Sequence, residues 1–292
     1  MLYDVKLTLD YGYDPPVSGG RHHVRVCPRT LPGIQRVVAS TLTVSPTPSE
    51  HTEFTDFFGT RVAALAFRAP HDALQVTMTA RVDVERSDGD IDLTPDLGTL
   101  YSDIEKCPSM GATSPHHFLG ASPRVAASPS VTAYARQSLH AARTVREIAN
   151  DLCLRINADF AYDGNATKVD TALDEAFELR RGVCQDFAHI MIAGLRGLGI
   201  PAGYVSGFLR TIPPEGQPRL EGADAMHAWV TVWCGREAGW IEFDPTNAMP
   251  AGRDHIVIGY GRDYADVSPI VGVLRSAGGH ETSQAVDVLE VA

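Results

Sequence analysis

The sequence predicts an α+β protein: a β-rich, sandwich-like front domain ahead of a stretch of helices followed by strands that include an antiparallel hairpin. Three observations lead there. Strand-period alternation dominates the first 90 residues, helical spacing dominates residues 129–198, and a hairpin pattern follows at 225–243.

At the front, Tyr3, Val5, Leu7, Leu9 and Tyr11 alternate with polar neighbours, the period of a half-buried strand. Asp56-Phe57-Phe58-Gly59 reads as a turn between strands at 52–55 and 61–68. Leu74, Val76, Met78, Ala80, Val82 and Val84 give the clearest alternation in the chain. Strands of this kind separated by Gly and Pro turns fit a small sandwich over residues 1–90. Nothing in it calls for chemistry. Residues 91–128 are rich in Ser, Pro, Gly and Asp and read as a connector, partly ordered against the second domain.

The core and the C-terminal strands are assigned to residues 129–292. Helix signals begin at Ser128-Pro129-Ser130. Tyr134, Leu139, Ala142, Val145, Ile148, Leu152 and Ile156 recur at roughly helical spacing until Asn157–Gly164 breaks the pattern. A short helix is expected over 171–178. The best-defined element starts at Cys184, where Phe187, Ala188, Met191, Ile192, Leu195 and Leu198 continue one apolar stripe. Gly197, Gly199 and Pro201 end it, and 201–209 reads as a strand. Residues 225–234 and 240–243 then alternate on either side of a Gly-flanked turn, which makes them an antiparallel hairpin.

Composition narrows the function classes. The chain has 292 residues, 44% hydrophobic and 21% charged, ordinary for a folded domain pair. A net charge of −11 and the lack of any Lys/Arg run argue against a nucleic-acid partner. No stretch approaches a membrane span, and the N-terminus lacks the apolar core of a signal peptide, so a cytoplasmic location is expected. Five scattered cysteines, Cys27, Cys107, Cys153, Cys184 and Cys234, fit a reducing compartment rather than a disulfide scaffold. None has zinc-ligand spacing and no EF-hand loop occurs, so no metal or other cofactor is expected.

Cys184 is the residue with chemical promise. It stands at the start of its helix, after the Gly182 turn, where unpaired N–H groups and the helix dipole favour negative charge on sulfur. Downstream, His227 offers a base and Asp244 an orienting carboxylate. The two lie at matching distances from the hairpin turn, so cross-strand pairing can bring them together. Cysteine, histidine and aspartate in these roles point to nucleophilic acyl transfer through a thioester. The Cys184 N–H would meet the oxyanion together with a second donor, for which Tyr162, Gln185 and Trp229 are candidates; Trp229 and Trp240 are otherwise core or pocket wall. His189 is a rival base on the wrong side of the helix, and Asp224 and Asp254 are fallbacks for the carboxylate.

Gly182-Val183-Cys184, Leu195–Ala202, His227-Ala228-Trp229-Val230 and Asp244-Pro245-Thr246-Asn247, in this order, resemble the transglutaminase-like core of the papain-like cysteine enzyme superfamily. The front half resembles the N-terminal domain of bacterial members. The polar–aromatic segment 259–267 resembles the stretch after the Asp motif, placed either beside the cleft or in ordinary turns. One departure is Gly203, where family members often carry Arg after Ile-Pro-Ala. The resemblance implies a helix-borne thiol packed on a sheet that carries the His and the Asp. It also implies transfer or hydrolysis at amides of peptides or glutamine side chains. The balance leans to hydrolysis, because efficient transfer needs a dedicated amine pocket. The alternative is a catalytically silent scaffold that binds peptides or proteins in the same cleft.

Overall fold

The computed structural model describes residues 1–86, 91–140, 143–211 and 224–291. Its front part is built on β1 (Leu2–Val24), with β2 (Gln35–Ser45), β3 (Glu50–Thr55), β4 (Arg61–Phe67) and β5 (His71–Val84) around it. The alternation in β1 buries Tyr3, Val5, Leu7 and Leu9, and that in β5 buries Leu74, Val76, Met78, Val82 and Val84. The strand order is β2-β5-β1-β4-β3. β1 is long enough to serve two sets of partners. Its first half pairs with β5, and after a register shift between Gly12 and Val17 its second half pairs with β4. The result is one sheet curled into a half-barrel, where the sequence suggested a sandwich-like pair of layers.

Between front and core lie α1 (Leu97–Glu105), capped by the Asp96 carboxylate on the Thr99 N–H, and a 3-10 turn at Pro115–Phe118. Leu100, Ile104 and Phe118 are buried, so this connector packs firmly on the core. The helical run after Ser128 is two helices, α2 (Pro129–Arg136) and α3 (Val145–Asp159). The interruption has a local cause: Thr144 and Glu147 form a capping box that starts a new helix. Ala142 lies outside the described residues. After β6 (Ala161–Tyr162), α4 (Leu173–Leu179) and β7 (Arg181–Gly182) comes α5 (Cys184–Gly197). Residues from Gln185 to Arg196 are all buried, so α5 is enclosed on every side rather than along one stripe.

The core sheet runs β11-β10-β9-β8-β12, made of β8 (Ala202–Leu209), β9 (Ala225–Trp233), β10 (Trp240–Asp244), β11 (Met249–Pro250) and β12 (His255–Gly261). Ala228, Val230, Val232 and Cys234 share a cluster with the apolar residues of α2, α3 and α5. Phe208, Ile256 and Ile258 belong instead to the core of the half-barrel. The sheet is therefore covered by helices on one face and by the half-barrel on the other. At Gly203, an added Cβ would lie 2.8 Å from the Phe118 ring, so that ring fills the space a side chain there would need.

The short α6 (Tyr264–Val267) leads to β13 (Ile270–Arg275) and β14 (Gly279–Glu290). Expected with the core, these last two strands pair with β1, β14 along residues 3–14 and β13 along residues 18–24. The physical reason is edge satisfaction. Each half of β1 has one edge taken, by β5 or by β4, and the N–H and C=O groups of the opposite edge need partners too. Among the described residues, no helix is long and apolar enough to cross a membrane.

Gly207 shows how tightly the sheet is built. It faces His227 across the β8–β9 pair, and a Cβ there would run into the Ile256 carbonyl and the Trp229 ring. Gly207→Ala is expected to lower stability by about 1–3 kcal/mol through overpacking. Urea unfolding measures this, and an unchanged midpoint would contradict the packing described.

Candidate active site

The place of Cys184 follows from the turn before α5. Parallel pairing of β6 with β7 sets Tyr162 against Gly182. The Asp186 carboxylate then accepts hydrogen bonds from the Val183 N–H at 2.8 Å and the Thr167 hydroxyl at 2.6 Å. A side chain at Gly182 would collide with Asp186, whose oxygen lies 2.5 Å from the ideal Cβ position. Asp186 thus straps the loop onto the first turn of the helix, and burial raises its pKa despite these two donors. Cys184, half-buried, is the first residue of the helix. Of the other four, Cys107 is likewise half-buried, whereas Cys27, Cys153 and Cys234 are fully buried and desolvation raises their thiols, Cys153 to about 12.

His227 and Asp244 meet through the hairpin, with a register different from the simplest expectation. Trp233 pairs with Trp240 and Val230 with Phe243, so Asp244 continues opposite Trp229, one same-face step from His227. A shift by two residues preserves the face, and the side chains still join. His227 Nε2–H donates to Asp244 Oδ2 at 2.7 Å. The Cys184 sulfur lies near enough to the imidazole to favour its charged form, and Nδ1 is the ring nitrogen that Asp244 leaves free. Burial works against charge on this imidazole. The Asp244 hydrogen bond and the Cys184 sulfur outweigh it and raise the His227 pKa to about 10.

Asp244 is wholly buried and remains a carboxylate because five donors converge on it. Oδ1 accepts from the backbone N–H groups of Thr246, at 2.9 Å, and Asn247, at 3.2 Å. The turn made by Asp244-Pro245-Thr246-Asn247 supplies both, in the manner of an Asx turn. Oδ2 accepts from His227, from the Asn247 amide at 2.7 Å and from His255 Nε2 at 3.0 Å. Desolvation alone would raise this pKa, but the imidazoles and the amide hold it far below the usual carboxylate range.

The secondary candidates separate. Tyr162 is 61% exposed, its ring edge rests on Phe187, and its hydroxyl pKa is raised by burial and then by the charge of Cys184. It stays beside the thiol. Gln185 turns its side-chain amide to the Val169 carbonyl at 3.0 Å, which ties down the neighbouring loop. Trp229 is buried, its ring stacked beside that of His227, and its indole N–H donates to Glu242 at 2.6 Å. That N–H is closed to any substrate, so Trp229 is a wall and not an oxyanion donor. Glu242 also accepts from Arg86 and from the Tyr260 hydroxyl, both at 2.7 Å.

The rival groups are occupied elsewhere. His189 Nε2 accepts the Tyr264 N–H at 3.3 Å, and burial lowers its pKa to about 4, so it stays neutral. Asp224 accepts the N–H groups of Thr211 and Val288, and Asp254 accepts the Tyr3 hydroxyl. Both carboxylates fasten the half-barrel to the core.

Three residues of the site were not singled out from the sequence: Asp186, Asn247 and His255. Asn247 lies inside the Asp-Pro-Thr-Asn motif, and Asp186 sits three residues after the N-cap, where capping carboxylates occur. His255 has no local signal. His227, Asp244 and His255 are, among the described residues, the one set of three potential metal-ligand atoms within 4.8 Å of one another. Both imidazoles already engage the same oxygen as hydrogen-bond donors.

Comparison with known proteins agrees with this architecture. Residues 3–83 match the bacterial transglutaminase-like N-terminal region, and residues 131–245 match the transglutaminase-like superfamily. An uncharacterized protein of Mycobacterium tuberculosis is 34% identical over 285 residues, covering 93% of this chain and 87% of its own. The crystal structure of a candidate cysteine protease from Cytophaga hutchinsonii superimposes with a TM-score of 0.74 at 22% identity. It covers 99% of this chain and 90% of the other. A protein-glutamine gamma-glutamyltransferase of Pseudomonas aeruginosa is 39% identical over 82 residues, 28% of this chain and 12% of that protein. With both regions matched in order and a relative aligned along nearly the whole length, this chain belongs to the bacterial transglutaminase-like proteins.

Proposed function

We propose that the protein performs thiol-dependent acyl transfer or hydrolysis at amide bonds of peptides or glutamine side chains, through a thioester on Cys184. The observation that carries this reading is the hydrogen bond from His227 to the buried Asp244 carboxylate, with the Cys184 sulfur near enough to the same imidazole to favour its charged form. The sulfur, with its proton passed to His227, attacks the amide carbonyl carbon. The C–N bond breaks, and the amine leaves with the proton from His227. Water or a primary amine then attacks the thioester, gives its proton to the imidazole, and the thiol is released.

The negative oxygen of each tetrahedral intermediate needs donors that are already in place. The Cys184 N–H, in the first turn of α5, supplies one, since first-turn N–H groups have no partner within the helix. The Tyr162 hydroxyl supplies the second. Its exposure leaves it free to meet a peptide or protein substrate. The glutamyltransferase name of the Pseudomonas relative supports glutamine-type amides, on a shared stretch of 82 residues.

Exposure of the protein to a library of peptide amides, with and without a primary amine, tests the reading by intact mass. A mass gain on Cys184, absent from Cys184→Ala and released as acid or amide product, is the expected result. Iodoacetamide should likewise modify Cys184 ahead of the other four cysteines at neutral pH. No adduct under any condition, together with alkylation at Cys184 no faster than at Cys107, would remove the reading.

A further inference from the structure

We propose that His255 is a positioning residue of the triad, a second imidazole that donates to Asp244 and fixes the carboxylate for His227. The inference rests on the thioester reading above and adds a fourth member to its network.

The tautomer of His255 can be read from its partners. The Gly252 N–H lies 3.1 Å from His255 Nδ1, and a backbone N–H only donates. Nδ1 is therefore an acceptor without a proton, and the proton of the neutral ring is on Nε2. That Nε2–H points at Asp244 Oδ2, 3.0 Å away, the same oxygen that receives His227. Both side chains are wholly shielded from solvent. A neutral donor here stabilises the buried carboxylate without adding a positive charge to compete with the imidazolium of His227.

The surroundings hold this donor still. The ring of Trp229 meets His255 edge-on at 5.1 Å between centroids. Tyr3 bonds the preceding residue, Asp254. Two residues beyond, the buried Gln35 side chain grips both backbone groups of Val257, donating to its carbonyl and accepting its N–H, each at 2.7 Å. Tyr3 and Gln35 both come from the half-barrel. The front domain thus fixes β12 on both sides of the histidine and, through it, the orientation of the catalytic carboxylate.

A buried histidine kept only for packing would answer differently to two substitutions. His255→Phe keeps the ring volume and removes the donor; His255→Gln removes the ring and places an amide N–H at nearly the same reach. The first readout is the rate of Cys184 alkylation by iodoacetamide as a function of pH, which needs no knowledge of the substrate. His255→Phe is expected to slow it about tenfold at neutral pH, the scale of one hydrogen bond to a charged group, and to displace the pH profile. His255→Gln should recover most of the rate and the wild-type profile.

A folded His255→Phe protein with the wild-type profile overturns the proposal, as does a His255→Gln protein no better than His255→Phe. Wild-type Cys184 that already reacts no faster than Cys107 sinks the thiol chemistry, and the role of His255 with it. Rapid wild-type reaction with indifferent variants sinks the role of His255 alone. If neither variant folds, nitrogen-15 histidine spectra of the wild-type protein decide. His255 should appear as the Nε2–H tautomer with a slowly exchanging proton, and a charged ring or an Nδ1–H tautomer overturns the assignment.

Discussion

His227→Ala is expected to cut amide turnover by a factor on the order of 10⁴ while leaving the fold intact. The side chain stands between the sulfur and the carboxylate, and both proton transfers pass through it. Alanine leaves a thiol without an acceptor and a leaving amine without a donor. The pH dependence should follow the same group. Because the His227 pKa is raised to about 10, the imidazole still carries the proton that the leaving amine needs well above neutrality. The alkaline limb of acylation should therefore lie well above neutrality.

Stability has the same sign. Below the unfolded value of about 6.5, the ring is protonated in both states and the ion pair with Asp244 contributes in full. That contribution is lost as pH rises through about 10. Steady-state rates and melting temperatures across this range, in wild type and His227→Ala, check both statements. A variant that keeps wild-type turnover would falsify the triad outright.

Asp244→Asn should be nearly as damaging to catalysis, for a different reason. The carboxylate accepts five hydrogen bonds; an amide offers one oxygen and an NH₂ that faces donors. With the oxygen at the Oδ2 position the NH₂ meets the Thr246 and Asn247 N–H groups, and with the NH₂ there His227 keeps a bond only by moving its proton to Nδ1, which then points at the sulfur that it must deprotonate. Loss of tautomer control of this kind costs about 10⁴ in kcat. Asp244→Ala adds a stability loss of about 3–5 kcal/mol, because buried donors lose their only acceptor. Urea denaturation alongside kinetics separates the two effects. An Asn variant within tenfold of wild-type turnover would show that Asp244 does not control the proton on His227.

Much of the site could be read from the chain because it is written locally. Cys184 announces itself through the Gly182 turn and the apolar run to Leu198. The His227–Asp244 contact could be anticipated because a hairpin with a short turn leaves few registers, and a slip of two preserves facing. Trp229 misled for a reason that is also physical. It shares a strand face with His227 two residues away, but its N–H is decided by Glu242 on the next strand. His255 left no local trace, since its meaning lies entirely in a carboxylate on another strand. The half-barrel was legible strand by strand and not as a closed object. β13 and β14 join β1 across almost the full length of the chain, and no window of sequence contains both partners.

That long-range closure has a consequence for how the molecule is made. During synthesis, β1 leaves the ribosome before the core and β14 after it, so the half-barrel is begun before the core and completed after it. Until then one edge of β1 stays open, while the helices around α5 can already gather on their own strands. A nascent chain halted after β12 would carry Cys184, His227 and Asp244 together on a foundation still missing two of its seven staves.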